Sequence, residues 1–136
     1  MVIDVGIFCI AGVFFTARHF LPHLLAGGEQ RGTAPGKLAI ISSQMGSSTR
    51  AGSGAIMYRA SKAAATNLAR SLAVELASQN IAVGAYHPGW VQTEMGGQEA
   101  AVTPADSAAG LLQRFAALGM GSTGVFEDYT GAVIPF

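Results

Sequence analysis

The stretch Tyr58-Arg59-Ala60-Ser61-Lys62 begins an alanine-rich run that extends to about Ser78 and predicts a helix. Residues four apart lie on one face of a helix, so the Tyr58 hydroxyl and the Lys62 ammonium can point into one volume. A fixed cation beside a phenol favours its ionised form and suits it to giving and taking protons. Taken alone, a Tyr-x-x-x-Lys spacing is typical of a solvated helix face.

Apolar runs on both sides of this helix predict strands of one parallel sheet. The first is Lys37-Leu38-Ala39-Ile40-Ile41, which leads into Ser42 and Ser43 and a loop rich in glycine and serine, 46–54. The second, 81–86, leads into His87-Pro88-Gly89-Trp90-Val91-Gln92-Thr93. Because parallel strands present their carboxyl ends at one edge of a sheet, we expect the serines, Tyr58, Lys62 and the Pro-Gly segment to converge there.

Four ordered motifs resemble the short-chain dehydrogenases/reductases, most closely their C-factor-like branch. They are Ile41-Ser42-Ser43-Gln44-Met45-Gly46-Ser47, Tyr58-Arg59-Ala60-Ser61-Lys62-Ala63-Ala64, Pro88-Gly89-Trp90-Val91-Gln92-Thr93-Glu94-Met95-Gly96-Gly97, and Gly124-Val125-Phe126-Glu127-Asp128-Tyr129 with Ile134-Pro135-Phe136. The resemblance covers the chain from about Gly12 to Phe136. It implies an oxidoreductase that uses NAD or NADP to interconvert a carbonyl and an alcohol.

The resemblance also implies a role for each motif residue. Tyr58 is the general acid/base, Lys62 favours its ionised form and binds the nicotinamide ribose, and Ser43 holds the substrate oxygen, with Ser42 a weaker candidate. The cofactor-binding residues are Tyr58, Lys62, Pro88, Gly89, Val91 and Thr93. Trp90 either forms part of the substrate wall, with Met95, Gly96 and Gly97, or only packs beneath its loop.

The predicted fold is α/β, the C-terminal part of a Rossmann-like doubly wound parallel sheet, in a single truncated domain over 1–136. Three neighbouring parallel strands should begin near Lys37, Ile81 and Gly124. The three main helices should run from about Phe8 to Leu25, from about Met57 to Ser78, and onward from an N-cap at Thr103 with Pro104 in the first turn, ending at Gly119. Gly27-Gly28 is the expected stop of the first helix, which Pro22 should kink or tighten, and Asn80 a left-handed stop after the second.

The sequence carries no Gly-rich phosphate loop after a first strand and no acidic residue twenty positions beyond one. Compared with the resembled family, about ninety opening residues and the asparagine of the family's proton relay are missing. Either Cys9 falls where that asparagine is expected, or Ala11-Gly12 is a relic of the family's Asn-Asn-Ala-Gly turn, and both alignments leave the asparagine missing. The strand at Leu38 should then be an open hydrophobic edge, and the chain should bind cofactor poorly and self-associate. The choice between NAD and NADP depends on the missing part.

Composition narrows the class of protein. Eight basic and eight acidic residues without a basic stripe make nucleic acid an unexpected partner. Charged residues are 12% of the chain, against about a quarter in typical domains, which favours a surface that is buried against another chain or lacks its partner. In the resembled family the helices near 8–25 and 57–78 form the dimer interface; alternatively, their apolar faces only cover the sheet. A single Cys9 excludes an internal disulfide and favours the cytoplasm, with Cys9 itself a small buried residue.

The apolar opening, 5–15, is too short to span a membrane before Arg18 and His19, and a secreted or membrane peptide remains a third reading based on those residues alone. His19 and His23 have a spacing that metal ligands use, but no carboxylate or cysteine cluster accompanies them, so no metal site is expected.

Two functional readings follow from the sequence. In the first, the chain is the catalytic portion of an NAD(P)-dependent oxidoreductase that needs the missing N-terminal half. In the second, it is an inactive truncated chain that acts as a dimerisation or interaction module.

Overall fold

The computed structural model describes residues 2–30, 32 and 34–136 and alternates helices with strands. The elements in chain order are α1 (Val2–Gln30), β1 (Gly36–Ile41), α2 (Ile56–Leu76), β2 (Ile81–His87), α3 (Pro104–Ala117) and β3 (Phe126–Asp128). Three single turns of 3₁₀ helix cover Gln44–Gly46, Ala77–Gln79 and Met120–Ser122.

The three strands form one parallel sheet in the order β1-β2-β3, as the sequence predicts. In its register Ile41 pairs with Tyr86, and His87 pairs with Asp128. All seven residues of the central strand β2 are buried. Because side chains alternate along a strand, Ile81, Val83 and Ala85 enter the core beneath α1 and α2, whereas Tyr86 points to the other face and meets Phe115 of α3. The sheet therefore has α1 and α2 on one face and α3 on the other.

Helix α1 is longer than the sequence indicates. It runs through Pro22 and the expected stop at Gly27-Gly28 to Gln30, so the predicted limits of Phe8 and Leu25 are wrong at both ends. Pro22 is exposed, and the helical carbonyl that it leaves without a partner can be hydrated, so it does not end the helix. Among the described side chains of α1, Val13, Leu21, Leu24 and Leu25 pack against the core, and Ala17 is buried. The expectation for the Cys9 side chain lies outside the described part of the structure.

Helix α2 buries a different stripe from the expected one. The sequence favours Ala60, Ala64, Leu68, Leu72 and Leu76, but the fully buried apolar residues are Ala65, Ala69, Ala73 and Leu76. Leu72 packs only partly against the core, and Ala60 is exposed. Alanines occur on nearly every side of this helix, so the pattern could not separate two adjacent stripes.

The ends of α2 and α3 follow their sequence signals closely. Asn80 is left-handed, with φ of 54°, and turns the chain into β2. The Thr103 hydroxyl accepts a hydrogen bond from the Asp106 amide and donates one of 2.6 Å to the Asp106 carboxylate, which fixes the first turn of α3. The helix ends at Ala117, two residues before Gly119.

Within the residues described, β1 is paired on one side only, which matches the expected open edge. Large apolar side chains of α1 are also exposed, namely Ile10, Phe14, Phe15 and Phe20. Isolated exposed apolar residues are ordinary, but a free strand edge together with an apolar helix face marks a surface suited to association.

The described residues contain neither a membrane-spanning helix nor a cluster of metal ligands. Neither α1 nor any other helix within 2–30 and 34–136 is long and apolar enough to cross a membrane. In the same part of the chain, no three or more His, Cys, Asp or Glu side chains group so as to hold a metal ion.

Candidate active site

A cavity of about 710 Å³ opens at the carboxyl ends of β1 and β2. Of the predicted site residues it brings together Ser43, Tyr58, Pro88, Gly89, Val91 and Thr93, with Ser42 also in its wall. Lys62 is outside the wall itself, one helical turn after Tyr58. The convergence follows from topology, since parallel strands bring distant loops to one edge of the sheet.

The two serines after β1 have different environments. The Ser42 hydroxyl lies 2.6 Å from the Thr66 hydroxyl and donates to the Lys62 carbonyl at 3.1 Å, so it ties the strand end to α2. The Ser43 hydroxyl accepts a hydrogen bond from the Met45 amide at 3.2 Å and caps the short turn that follows. That contact leaves the Ser43 hydroxyl hydrogen free for a substrate oxygen, which favours Ser43 over Ser42 as the substrate-binding serine.

Tyr58 and Lys62 occupy the first two turns of α2. The Lys62 ammonium lies 5.7 Å from the centre of the Tyr58 ring, and its hydrogen bond to the Ile41 carbonyl is long, 3.4 Å. Three residues before Tyr58, Ala55 adopts a left-handed conformation with φ of 49°. A conformation that is costly for alanine thus precedes the helix turn that carries the tyrosine.

Gly46 allows the Ser43 loop to pack directly against α2. A Cβ at this position would lie only 2.6 Å from the Lys62 carbonyl carbon and 2.8 Å from the Ala63 nitrogen. Both atoms are backbone and cannot move aside without distorting the helix. The absence of a side chain at Gly46 therefore sets the separation between the serine and the helix that carries Tyr58 and Lys62.

The Pro-Gly loop after β2 is braced by side chains at both ends. The buried Ser107 hydroxyl of α3 donates to the Pro88 carbonyl at 2.6 Å, and Trp90 Nε1 donates to the Gly96 carbonyl at 2.8 Å. The Thr93 hydroxyl accepts from the Gly96 amide at 3.2 Å. Trp90 is 55% exposed and lines the cavity, so it forms part of the wall rather than packing beneath its loop.

Comparison with known proteins shows the family to which the chain belongs. A family model described as short chain dehydrogenase matches residues 3–103. The chain belongs to the short chain dehydrogenase family. A curated relative, C-signal of Myxococcus xanthus, is 37% identical over 117 residues, covering 85% of this chain and 67% of the relative, which agrees with the C-factor-like resemblance.

Solved structures of the family have the same fold. Carbonyl reductase Sniffer of D. melanogaster superposes with a TM-score of 0.92 at 28% identity, and the NADPH-bound carbonyl reductase from chicken fatty liver with 0.89 at 28%. Each match covers 99% of this chain and 57% of the solved chain. The short chain dehydrogenase described here therefore spans little more than half the length of those two enzymes.

Among the residues that line the cavity of this short chain dehydrogenase without belonging to a predicted site are Ser107 and His87. Ser107 could have been noticed as a polar residue in the first turn of α3. Nothing in the sequence marked His87 apart from its position before Pro88.

His87 and Asp128 are neighbours across the end of the sheet. Burial lowers the pKa of His87 below its ordinary value, partly opposed by the Asp128 carboxylate, while Arg50 lowers it further. Burial alone would raise the pKa of Asp128, but hydrogen bonds from Thr130 and Ala132, together with His87, bring it below its ordinary value. The electrostatics thus favour a neutral imidazole beside an ionised carboxylate.

Proposed function

We propose that this chain is the catalytic portion of an NAD(P)-dependent carbonyl reductase or alcohol dehydrogenase. The observation that carries the proposal is the single cavity that Ser43, Tyr58 and the 88–93 loop share, with the Lys62 ammonium beside the Tyr58 ring. Two solved relatives named carbonyl reductases, one of them NADPH-bound, support the reaction class and the cofactor.

In this proposal Tyr58 exchanges the proton of the reacting oxygen. Its hydroxyl gives a proton to the carbonyl oxygen during reduction and takes it back from the alcohol during oxidation. Ser43 donates a second hydrogen bond to the same oxygen and shares the charge that develops on it. Lys62 supports the negative charge on Tyr58 when the proton has left.

The residues fit the nicotinamide end of the cofactor. The Lys62 ammonium has three hydrogens and, among the described residues, one long hydrogen bond, so it keeps donors for ribose hydroxyls. Backbone groups of Pro88, Gly89 and Val91 and the Thr93 hydroxyl adjoin the cavity and can meet the carboxamide. The cofactor, when bound, supplies or accepts the hydride.

The adenosine end has no counterpart motif in this sequence, which lacks the Gly-rich loop that usually holds the pyrophosphate. We therefore expect weak cofactor binding and slow turnover by the chain alone, measurable only at high cofactor concentration, until a further segment completes the site. The choice between NAD and NADP belongs to that segment.

Turnover at millimolar NADPH with a panel of ketones tests the proposal. Replacing Tyr58 by Phe should lower kcat by about 100-fold or more, and Ser43→Ala by a comparable factor, because each removes a group that acts on the reacting oxygen. Tyr86→Phe is the matched control, since that hydroxyl lies on the opposite face of the sheet, and it should leave kcat unchanged. Turnover that survives Tyr58→Phe would refute the proposed role of Tyr58.

A second candidate function is that of a dimerisation or interaction module. It is favoured by the exposed apolar residues of α1, including Phe14 and Phe20, and by the free edge of β1. In this reading the chain pairs with a second copy or with intact relatives through α1 and α2. Sedimentation analysis of the wild type and of Phe14→Ser tests it, because a dimer formed by this face should dissociate in the variant, and a monomeric wild type would exclude homodimerisation.

A cytoplasmic location is proposed on the sequence, where a single cysteine excludes an internal disulfide. Fractionation of cells that express the tagged chain would test it.

A further inference from the structure

One buried side chain of the cavity has no role in the reaction described above. His87 is the last residue of β2, is 9% exposed and lines the same cavity as Ser43 and Tyr58. The sheet holds the backbone here on both sides. On the β1 side the Ser42 amide donates a 2.7 Å hydrogen bond to the Tyr86 carbonyl, and on the β3 side His87 pairs with Asp128. The backbone at His87 is therefore held in place, and burial of the side chain limits the freedom of the ring to turn.

The two edges of the His87 ring have different surroundings. Nδ1 is enclosed by the protein and has no hydrogen-bond partner among the described residues. Nε2 is not enclosed without a partner in this way, and His87 is one of the residues that line the cavity, which favours the edge that carries Nε2 as the one facing it. A neutral imidazole has one N–H, and buried N–H groups without an acceptor are rarer in proteins than acceptors without a donor. The favoured tautomer therefore has an unprotonated Nδ1 and carries its hydrogen on Nε2.

The wall has few free polar groups besides His87, because Ser42, Gln44, Thr93 and Ser107 are hydrogen-bonded within the protein. Much of it is apolar, with Met45, Trp90, Met95 and Leu111 among the larger side chains. The Ser43 and Tyr58 hydroxyls are assigned above to the oxygen that reacts. A further N–H fixed in an apolar wall would meet a different oxygen of the same ligand, and such fixed polar groups generally set orientation and specificity.

We propose that His87 Nε2–H is a specificity-determining donor that binds a second oxygen of the substrate, so that the cavity prefers ketones with an adjacent carbonyl or ester group. This rests on the proposed function, of which it names the substrate class. His87 binds and orients the ligand and takes no part in proton transfer to the reacting oxygen.

Paired ligands and paired variants test the proposal without cofactor. Ethyl benzoylformate and valerophenone have nearly the same shape, but only the first has an ester carbonyl on the carbon next to the ketone. Trp90, the single tryptophan and part of the wall, reports their binding by fluorescence quenching. In His87→Gln the amide nitrogen can occupy the place of Nε2, whereas the shorter amide of His87→Asn reaches only the place of Nδ1.

His87→Asn should lower the affinity for ethyl benzoylformate about fivefold, the equivalent of one net hydrogen bond of about 1 kcal/mol. The affinity for valerophenone should fall less than about twofold. His87→Gln should keep both affinities within about twofold of the wild type. Equal losses for both ligands in His87→Asn would mean that the ring only shapes the wall, and would overturn the proposal. Absence of saturable quenching with either ligand would overturn it as well.

Nitrogen NMR of the imidazole rings gives a readout that depends on neither ligand nor cofactor. The signals of His87 are identified among the three histidines by their loss in His87→Gln. We expect the tautomer protonated at Nε2. The tautomer protonated at Nδ1 would contradict the proposal even if the chain proved to be an active reductase. Conversely, failure of NADPH to bind would refute the proposed function and leave the tautomer and the ligand preference as independent results.

Discussion

Replacing Tyr86 by Phe should stabilise the chain, although it removes a polar group from the interior. The Tyr86 hydroxyl is buried and has no hydrogen-bond partner among the described residues. Burial, with a further contribution from Glu127, raises the pKa of Tyr86 to about 12. The ring itself is well placed, 5.0 Å from Phe115 in an edge-to-face contact that phenylalanine would keep.

The size of the effect follows from desolvation of the hydroxyl. An unsatisfied buried hydroxyl costs about 1–3 kcal/mol, from which the small void left by the oxygen subtracts a few tenths. We expect a gain of about 1 kcal/mol in the free energy of unfolding. An unfolding entropy of about 2.1 cal/mol/K per residue gives about 0.29 kcal/mol/K for 136 residues, so Tm should rise by about 3–4 °C.

Urea and thermal unfolding followed by circular dichroism would measure the change. Tyr58→Phe is the matched control, because its hydroxyl adjoins the open cavity, and its stability should stay within about 0.5 kcal/mol of the wild type. A loss of 1 kcal/mol or more in Tyr86→Phe would refute the reasoning, since it would show that the hydroxyl has a bonded partner such as a buried water.

Three further changes have defined outcomes. Gly46→Ala should destabilise the chain by about 1–3 kcal/mol in urea unfolding, because its Cβ would collide with the Lys62 backbone. Ala55→Gly should stabilise it by about 0.5–1 kcal/mol, because glycine adopts the left-handed conformation without strain. Burial lowers the pKa of His87 in the folded chain, so the unfolded chain binds more protons and stability should fall as pH drops below about 6.5, less steeply in His87→Gln.

Each of these has a result that would contradict it. A Gly46→Ala variant with native stability would mean that the serine loop does not rest on α2. Destabilisation by Ala55→Gly would argue against the left-handed turn. An identical decline of stability with pH in the wild type and His87→Gln would remove His87 as its source.

Short apolar strands bounded by clear turn residues made the sheet predictable. Once β1, β2 and β3 were assigned, the alternation of strands with helices predicted neighbouring parallel strands, so the loops after β1 and β2 had to meet at one edge of the sheet. Two local capping signals were equally reliable, because Thr103 caps α3 through its own hydroxyl and Asn80 turns the chain through its own left-handed backbone.

The helices were harder because their limits and faces depend on tertiary contacts. Gly27-Gly28 is a strong stop signal locally, yet α1 continues past it to Gln30. In α2 the alanines gave no contrast between faces, so the stripe at Ala65, Ala69 and Ala73 became evident only with the sheet beneath it.

The candidate site was predictable where a motif had several parts, as for Ser43, Tyr58, Lys62 and the 88–93 loop. His87 and Ser107 are single residues whose positions in the cavity follow from strand register and from the packing of α3. Neither belongs to a spacing that local chemistry would single out, so only the assembled structure reveals them.

The cavity beside Tyr58 and Lys62 is proposed above to hold the nicotinamide end of a cofactor. The most direct test is to titrate the chain with reduced nicotinamide mononucleotide and with NADPH, following nicotinamide fluorescence, in the wild type and in Lys62→Ala. We expect weak, saturable binding of both compounds at similar affinity, because the proposed site holds only the end that they share, and a loss of affinity of at least about fivefold for both in the variant. No binding of either compound at millimolar concentration would contradict it and would favour the interaction module.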